Sequence, residues 1–222
     1  MSTDIIVSYD GTPNDDDALA FGRALARGGA TLALAYVRHS REFDPRREEL
    51  AKHDAQRRLE SGANWLGDPD IPRHIVFSAS TGEGLAQLAH GEGASLIVFG
   101  SDYRTPPGRA EPGQTAQYLM EGGTVAIAVA KAGLRTDSDV AISAIATANS
   151  GGEDEAERTA QTLAQKLGAS VVTGSGPADV IGVASQAGGP DRRITLGGST
   201  RSMLNSALGS VIVLPRGTPL TF

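Results

Sequence analysis

Asp10-Gly11-Thr12 closes the first apolar run of the chain, "IIVSYDGT", and Gly100-Ser101 closes a later one, "LIVFGS", ahead of a loop rich in glycine, proline and arginine, "DYRTPPGRAEPGQT". A carboxylate at Asp10 is suited to accept from a ribose hydroxyl or to help position a base, and Thr12 adds a hydroxyl. Backbone N–H groups around Gly100 and Gly113, with a helix start near Gln114 and Thr115, are the donors that phosphate oxygens use. Arg104 and Arg109 bring positive charge to the same loop. These types at this spacing fit a nucleotide. The plainer account stays open beside it: a glycine after a strand is often only a turn, and Asp-Gly often only leads into a helix. Tyr103 reads either as a ring that fills the pocket or stacks on a base, or as a surface tyrosine.

Other chemistries find less support. The four histidines His39, His53, His74 and His90 show no HxH or HExxH spacing of a metal site. Ser8, Ser78 and Ser101 lie near strand ends, none of them in a G-x-S-x-G elbow. The first half has only Lys52 and Lys131, neither in the loop, so the lysine of a Walker loop is missing and phosphoryl transfer is expected to be weak or absent. The acids Asp15, Asp16 and Asp17 are able to hold a cation, yet a helix start already explains them, and "GGEDEAE" at 151–157 reads likewise as an acidic helix start facing solvent. With no cysteine there is neither a disulfide framework nor a thiolate, and the apolar runs are too short to span a membrane, which suits a cytoplasmic protein. A formal charge of -6, with Arg46-Arg47, Arg57-Arg58 and Arg192-Arg193 set among acids or glycines, argues against nucleic acid.

The elements that would position these residues alternate. "IIVSYD" reads as a strand, "TPNDDDALAFGRALARGGA" as a helix and "TLALAYV" as a strand, which is the order of a parallel βαβ unit. A helix follows over Pro45–Leu66, then a strand "RHIVFSAS", a short helix "GEGLAQLAHGEG" and a wholly apolar strand "ASLIVFGS". After the loop come a helix "TAQYLMEGG" and a strand "TVAIAVA". "KAGLRTDSD", residues 131–139, is the expected join. The second half predicts a strand "DVAISAIATA", a helix ending "LAQKLGA", a strand "SVVTG", a short helix "PADVIGVASQAG", a strand "RRITLGG", a short helix "STRSMLNSAL" and a strand "SVIVLP". "IVFSASTGEGLAQLAHGEGASLIVFGS" answers "VVTGSGPADVIGVASQAGGPDRRITLGGS" as an internal repeat. In that alignment the long helix near Leu59 has no partner, and the loop of 98–115 shrinks almost to nothing in the second half.

The opening "IIVSYDGT" and the spacing Gly100, two residues, Tyr103, nine residues, Gly113, Gln114 resemble the universal stress proteins. That family's domains open on a strand ending Asp-Gly-Ser and close on Gly, two residues, Gly, nine residues, Gly and then Ser or Thr. Tyr103 stands where the second Gly belongs and Gln114 where the hydroxyl residue belongs. The resemblance implies an α/β protein of two tandem adenine-nucleotide-binding-like three-layer domains with parallel sheets. Residues 1–133 would carry the nucleotide site and residues 137–222 a degenerate second domain, the two packed through their last strands as the family's homodimers are. The family has members that bind ATP and members that do not. The implied ligand is therefore ATP or another adenine nucleotide with Mg, held weakly or as a regulator by Asp10, Gly11, Thr12, Val37, Gly100, Ser101, Tyr103, Arg104, Arg109, Gly113, Gln114 and Thr115. The alternative is a structural or protein-interaction module with a vestigial pocket. An unidentified protein partner, and a homodimer beyond the intramolecular pair, are further expectations.

Overall fold

The computed structural model describes residues 3–137, 139–148, 154–172 and 177–222. In the first half the expected elements form: β1 (Ile5–Ser8), α1 (Pro13–Ala26), β2 (Leu32–Arg38), α2 (Pro45–Leu66), β3 (Arg73–Phe77), α3 (Thr81–Glu92), β4 (Leu96–Phe99), α4 (Gln114–Leu119) and β5 (Ala126–Val129). Local chemistry sets their ends. Asp44 caps α2 by accepting from the N–H groups of Arg46 and Arg47 at 2.8 and 3.1 Å, with Pro45 in the first turn, and Gly67 ends the helix at φ 72°.

The second half contributes β6 (Ala144–Ala148), α5 (Asp154–Leu167), β7 (Ser170–Val172), β8 (Val180–Val183), α6 (Gly198–Leu204) and β9 (Ser210–Val213). Nine strands join one sheet in the order β3-β2-β1-β4-β5-β9-β8-β6-β7. Every neighbouring pair is parallel except β5 and β9, which run antiparallel with Ala128 opposite Ile212. The last strand of the first half and the last strand of the second therefore meet edge to edge. α1, α2 and α5 cover one face through Leu19, Leu59 and Leu163, while α3, α4 and α6 cover the other through Leu85, Leu119 and Leu204. β4, β5 and β9 are buried along their whole length, as strands covered on both faces must be.

Four expectations for the second half need correcting. "PADVIGVASQAG" does not make a helix: Val180–Val183 is β8, held between β6 and β9, and its β-branched run suits a ladder better than a helix interior. "RRITLGG" is not a strand but an irregular segment whose Ile194 exchanges backbone bonds with Gly122 and Gly123. "DVAISAIATA" pairs only from Ala144, although Val140 and Ile142 before it are buried. The repeat is consequently in another register, since β8 answers β4 and β9 answers β5, and the loop between them has not shrunk. Ser101 donates to Ala130 O at 2.6 Å and accepts from Glu111 N–H at 3.2 Å, across 29 and 10 residues. Ser185 donates to Leu214 O at 2.7 Å and accepts from Thr195 N–H at 3.1 Å, across the same 29 and 10 residues. What the second half lacks lies between β7 and β8, where the first half has α2, β3 and α3 between β2 and β4.

Two acidic stretches also differ from expectation. Asp17 does not face solvent: it is fully buried and accepts from the N–H groups of Gly133 and Arg135 at 3.0 and 2.7 Å and from the Arg135 guanidinium at 2.6 Å. It thereby straps the join between the halves, where Leu134–Thr136 forms a 3₁₀ turn, onto α1. Glu155 at the start of α5 is likewise fully buried, and neither of its carboxyl oxygens has a hydrogen-bond partner among the described residues. Residues 151–153 of that acidic stretch, and 173–174 of "SVVTG", lie outside the described residues.

Candidate nucleotide site

β1 has β2 on one side and β4 on the other, with Ser8 opposite Ala35 and Val7 opposite Val98. β1 thus ends between β2 and β4, and Asp10, Gly11 and Thr12 leave it at the rim where Val37 nears the end of β2 and Gly100 and Ser101 follow β4. This is the carboxyl rim of a parallel sheet, where such folds place their ligands. Val37 is buried and turned toward α3, where a Cβ on Gly84 would lie 3.3 Å from its Cγ1. Asp10, Gly11 and Thr12 are exposed. The first turn of α1 is tied to the β4 side: Asn14 Nδ2 donates to Ser101 O at 2.9 Å. A Cβ on Gly100 would stand 2.1 Å from the Asn14 carbonyl oxygen, so close packing alone demands glycine there.

The turn after β1 is dense in carboxylates. Thr12 caps α1, and its hydroxyl donates to Asp15 Oδ2 at 2.8 Å. The backbone N–H groups of Thr12 and Asp10 reach the same oxygen at 3.0 and 3.1 Å. Burial, reinforced by the neighbouring Asp10 carboxyl, pushes the Asp15 carboxyl up to about 7. Burial, with the Asp16 charge beside it, likewise pushes the Tyr9 phenol up to about 12. Asp10 itself accepts from Thr12 N–H at 3.2 Å, and its carbonyl accepts from Arg58 Nη1 at 2.7 Å. Sequence reading missed Arg58, Asn14 and Asp15; the capping pattern Thr12-x-x-Asp15 was the signal for the last of these.

The loop of 100–113 is folded on itself. Ser101 bridges to Pro112, and Asp102 N–H donates to Glu111 O at 2.9 Å. Arg104 N–H goes to the Asp102 carboxylate at 3.0 Å, Thr105 N–H to Asp102 O at 2.9 Å and Arg109 N–H to Pro106 O at 3.2 Å. Gly108 N–H reaches Ala132 O at 2.8 Å, and Ala110 N–H reaches Ala207 O, in the second half, at 3.2 Å. The Ser101 hydroxyl is committed in both directions, as described above. Tyr103 is 73% exposed, with the Arg104 guanidinium 4.8 Å over its ring and Arg104 Nε donating to its hydroxyl at 2.7 Å. Arg109 sits by the chain leaving β5, where its carbonyl accepts from Ala132 N–H at 2.8 Å. That is two strands from β1, roughly 10 Å at the usual strand spacing. The Arg109 backbone is thus set by β5, while Tyr103 and Arg104 engage each other. Gly113 precedes α4, Gln114 is exposed and Thr115 is half-buried. An open groove beside them is lined by Asp102, Glu111, Pro112, Gln114, Gln117 and Asn205.

A sheet that is parallel but for one central pair, covered by helices on both faces, with irregular loops at the carboxyl ends of its strands, defines a Rossmann-like α/β protein. The pattern that characterises the universal stress protein family matches residues 1–131, and the chain belongs to that family. Solved structures agree on the fold over nearly the whole length. A universal stress protein from Archaeoglobus fulgidus DSM 4304 is similar with a TM-score of 0.72 at 14% identity, covering 98% of this chain and 100% of its own. A protein of unknown function from Pseudomonas aeruginosa PAO1 is similar with a TM-score of 0.62 at 13% identity, covering 97% and 93%. No curated protein sequence matches the chain.

Proposed function

We propose that the chain is a stress-response protein whose first half, residues 1–133, takes an adenine nucleotide as a weak regulatory ligand, with residues 137–222 a reduced copy retained for packing. The observation that carries this reading is the meeting of three strand ends at Asp10, Val37 and Gly100. It sets an exposed carboxylate beside an apolar side chain and a glycine on the rim where such sheets bind. Asp10 would accept from the ribose, and Val37 would face the base. No lysine lies in the loop, and the Arg104 guanidinium lies on the Tyr103 ring, so turnover would be slow at most. The setting would be cytoplasmic, with signalling passed to a protein partner; no described helix is long and apolar enough to cross a membrane. Mg²⁺ would arrive only with a phosphorylated ligand, as no described group of three or more His, Asp or Glu is arranged to hold a metal.

Thermal unfolding with millimolar adenosine, AMP, ATP and ATP with Mg²⁺ tests the reading. A ligand selective for the folded state at about 100 times its Kd adds about 2.7 kcal/mol. A shift that Asp10→Ala removes supports the proposal, and no shift with any adenine compound rejects it. The engagement of seven of the loop's N–H groups by acceptors within the protein favours a second reading, a protein-interaction module with a vestigial pocket, and that null result would select it.

A further inference from the structure

We infer that the β3 edge of the sheet is a docking site for an extended acidic peptide, which adds to it as a further strand. β3 stands first in the sheet order, with β2 as its neighbour, and β7 at the opposite edge is three residues long. Pro72 O accepts from Leu34 N–H at 2.9 Å, and Ser78 N–H donates to Arg38 O at 3.1 Å. Leu34 lies opposite Arg73, and Arg38 opposite Phe77. Backbone groups alternate along a parallel ladder, so those of Pro72, His74, Val76 and Ser78 face β2. The N–H and C=O groups of Arg73, Ile75 and Phe77 therefore point away from the sheet, as a template for pairing.

The side chains along that edge set the chemistry of the partner. Residues 73, 75 and 77 share one face of the strand, the face that α2 covers. Arg73 and Ile75 line an open notch with Gln56, Leu59 and Glu60 of α2, and Phe77 lies opposite Arg38, which Glu48 of α2 holds. The middle of the edge is thus apolar, through Leu59 and Ile75. Each end carries a guanidinium: Arg73 is exposed at one, and at the other Arg41 lies 4.7 Å over the Phe77 ring, itself 37% exposed. Neither Arg41 nor Arg73 has an ion-pair partner among the described residues. Against these two cations the notch holds one carboxylate, Glu60. A segment with an acidic side chain two residues to either side of an apolar one matches this edge in both strand directions, its backbone taking up the free groups. A second copy of β3 does not match. Antiparallel self-pairing with Ile75 opposite Ile75 sets Arg73 across from Phe77, where Arg41 already lies, and like charges so placed repel.

Anisotropy titration of the full chain against the fluorescein-labelled probes Gly-Glu-Thr-Val-Thr-Glu-Gly and Gly-Lys-Thr-Val-Thr-Lys-Gly tests this. The acidic probe is expected to bind about tenfold more tightly than the basic one, with the gap narrowing at high salt. Ile75→Pro removes an N–H that β2 does not use, so the ladder survives. That variant is expected to weaken the acidic probe about tenfold, against about threefold for Ile75→Ala, which keeps the N–H. Unfolding temperatures show that each variant folds. Should Ile75→Pro not fold, the double variant Arg41→Glu/Arg73→Glu decides, and it is expected to reverse the preference toward the basic probe. Equal binding of the two probes, no binding of the acidic probe at millimolar protein, or an unreversed preference in the double variant overturns the inference. A folded Ile75→Pro that binds as Ile75→Ala does overturns it too. Light scattering on the same samples separates the other occupant: a full-chain dimer that Ile75→Pro dissolves assigns the edge to a second copy and overturns the acidic peptide.

Discussion

Asp15 carries the clearest titration in the first half. Its folded pKa of about 7 stands above the unfolded value of 3.8, so between those pH values the folded chain holds the proton more firmly than the unfolded one. Stability therefore falls as pH rises from about 4 through 7. Asp15→Asn is expected to flatten that slope in thermal melts taken at pH 4 to 8. Glu48 behaves oppositely: the bidentate Arg38 guanidinium, at 3.0 Å to each oxygen, and the Glu42 N–H hold it down at about 2. Its contribution is present above the unfolded value near 4.5 and is lost as pH falls toward 2, a loss that Glu48→Gln should abolish. Glu155 is the residue most at odds with its surroundings. A buried carboxyl with no hydrogen-bond partner among the described residues costs free energy, and Glu155→Met is expected to raise stability by about 1–3 kcal/mol in urea unfolding.

Gly100 and Asn14 test how the strand ends are joined. Gly100→Ala would drive a methyl into the Asn14 carbonyl and is expected to cost about 1–3 kcal/mol, with the first turn of α1 displaced and any adenosine affinity lost in the same variant. Most elements of the first half were legible because each carries its own punctuation. Asp44-Pro45 opens α2 and Gly67 closes it, and the unbroken "LIVF" of β4 announces a strand covered on both faces. The second half was less legible because it was aligned by spacing alone, and β8 follows β7 in chain order where the first half has α2, β3 and α3 between β2 and β4. Val180, Ile181 and Val183 were consequently given to a helix, although only a ladder between β6 and β9 accounts for their burial. At the candidate site, the strand ends could be read from Asp-Gly and Gly-Ser. The fate of the loop's donors could not, because Gly108 and Ala110 bond to Ala132 and Ala207, partners distant in sequence that only the tertiary fold reveals.

At the scale of the molecule, the seam between β5 and β9 holds the two halves as one sheet. Residues 211–214 are fully buried there, so removing the second half would bare the Ala126–Val129 edge. A fragment ending at residue 137 is expected to dimerise through that edge, as light scattering would show, while the full chain leaves the edge covered. Asp17 and Arg135 fasten the join to α1, and Asp17→Ala, which strands two backbone N–H groups, is expected to cost about 2–4 kcal/mol. The paired serines extend this logic. Ser101 and Ser185 anchor their loops to the carbonyls of Ala130 and Leu214, the residues that follow β5 and β9, and Ala110 reaches across to Ala207. The long loop is thus a structural member of the joint between the halves. Any molecule that levers it open must also load the central seam, transmitting strain to the opposite end of the sheet.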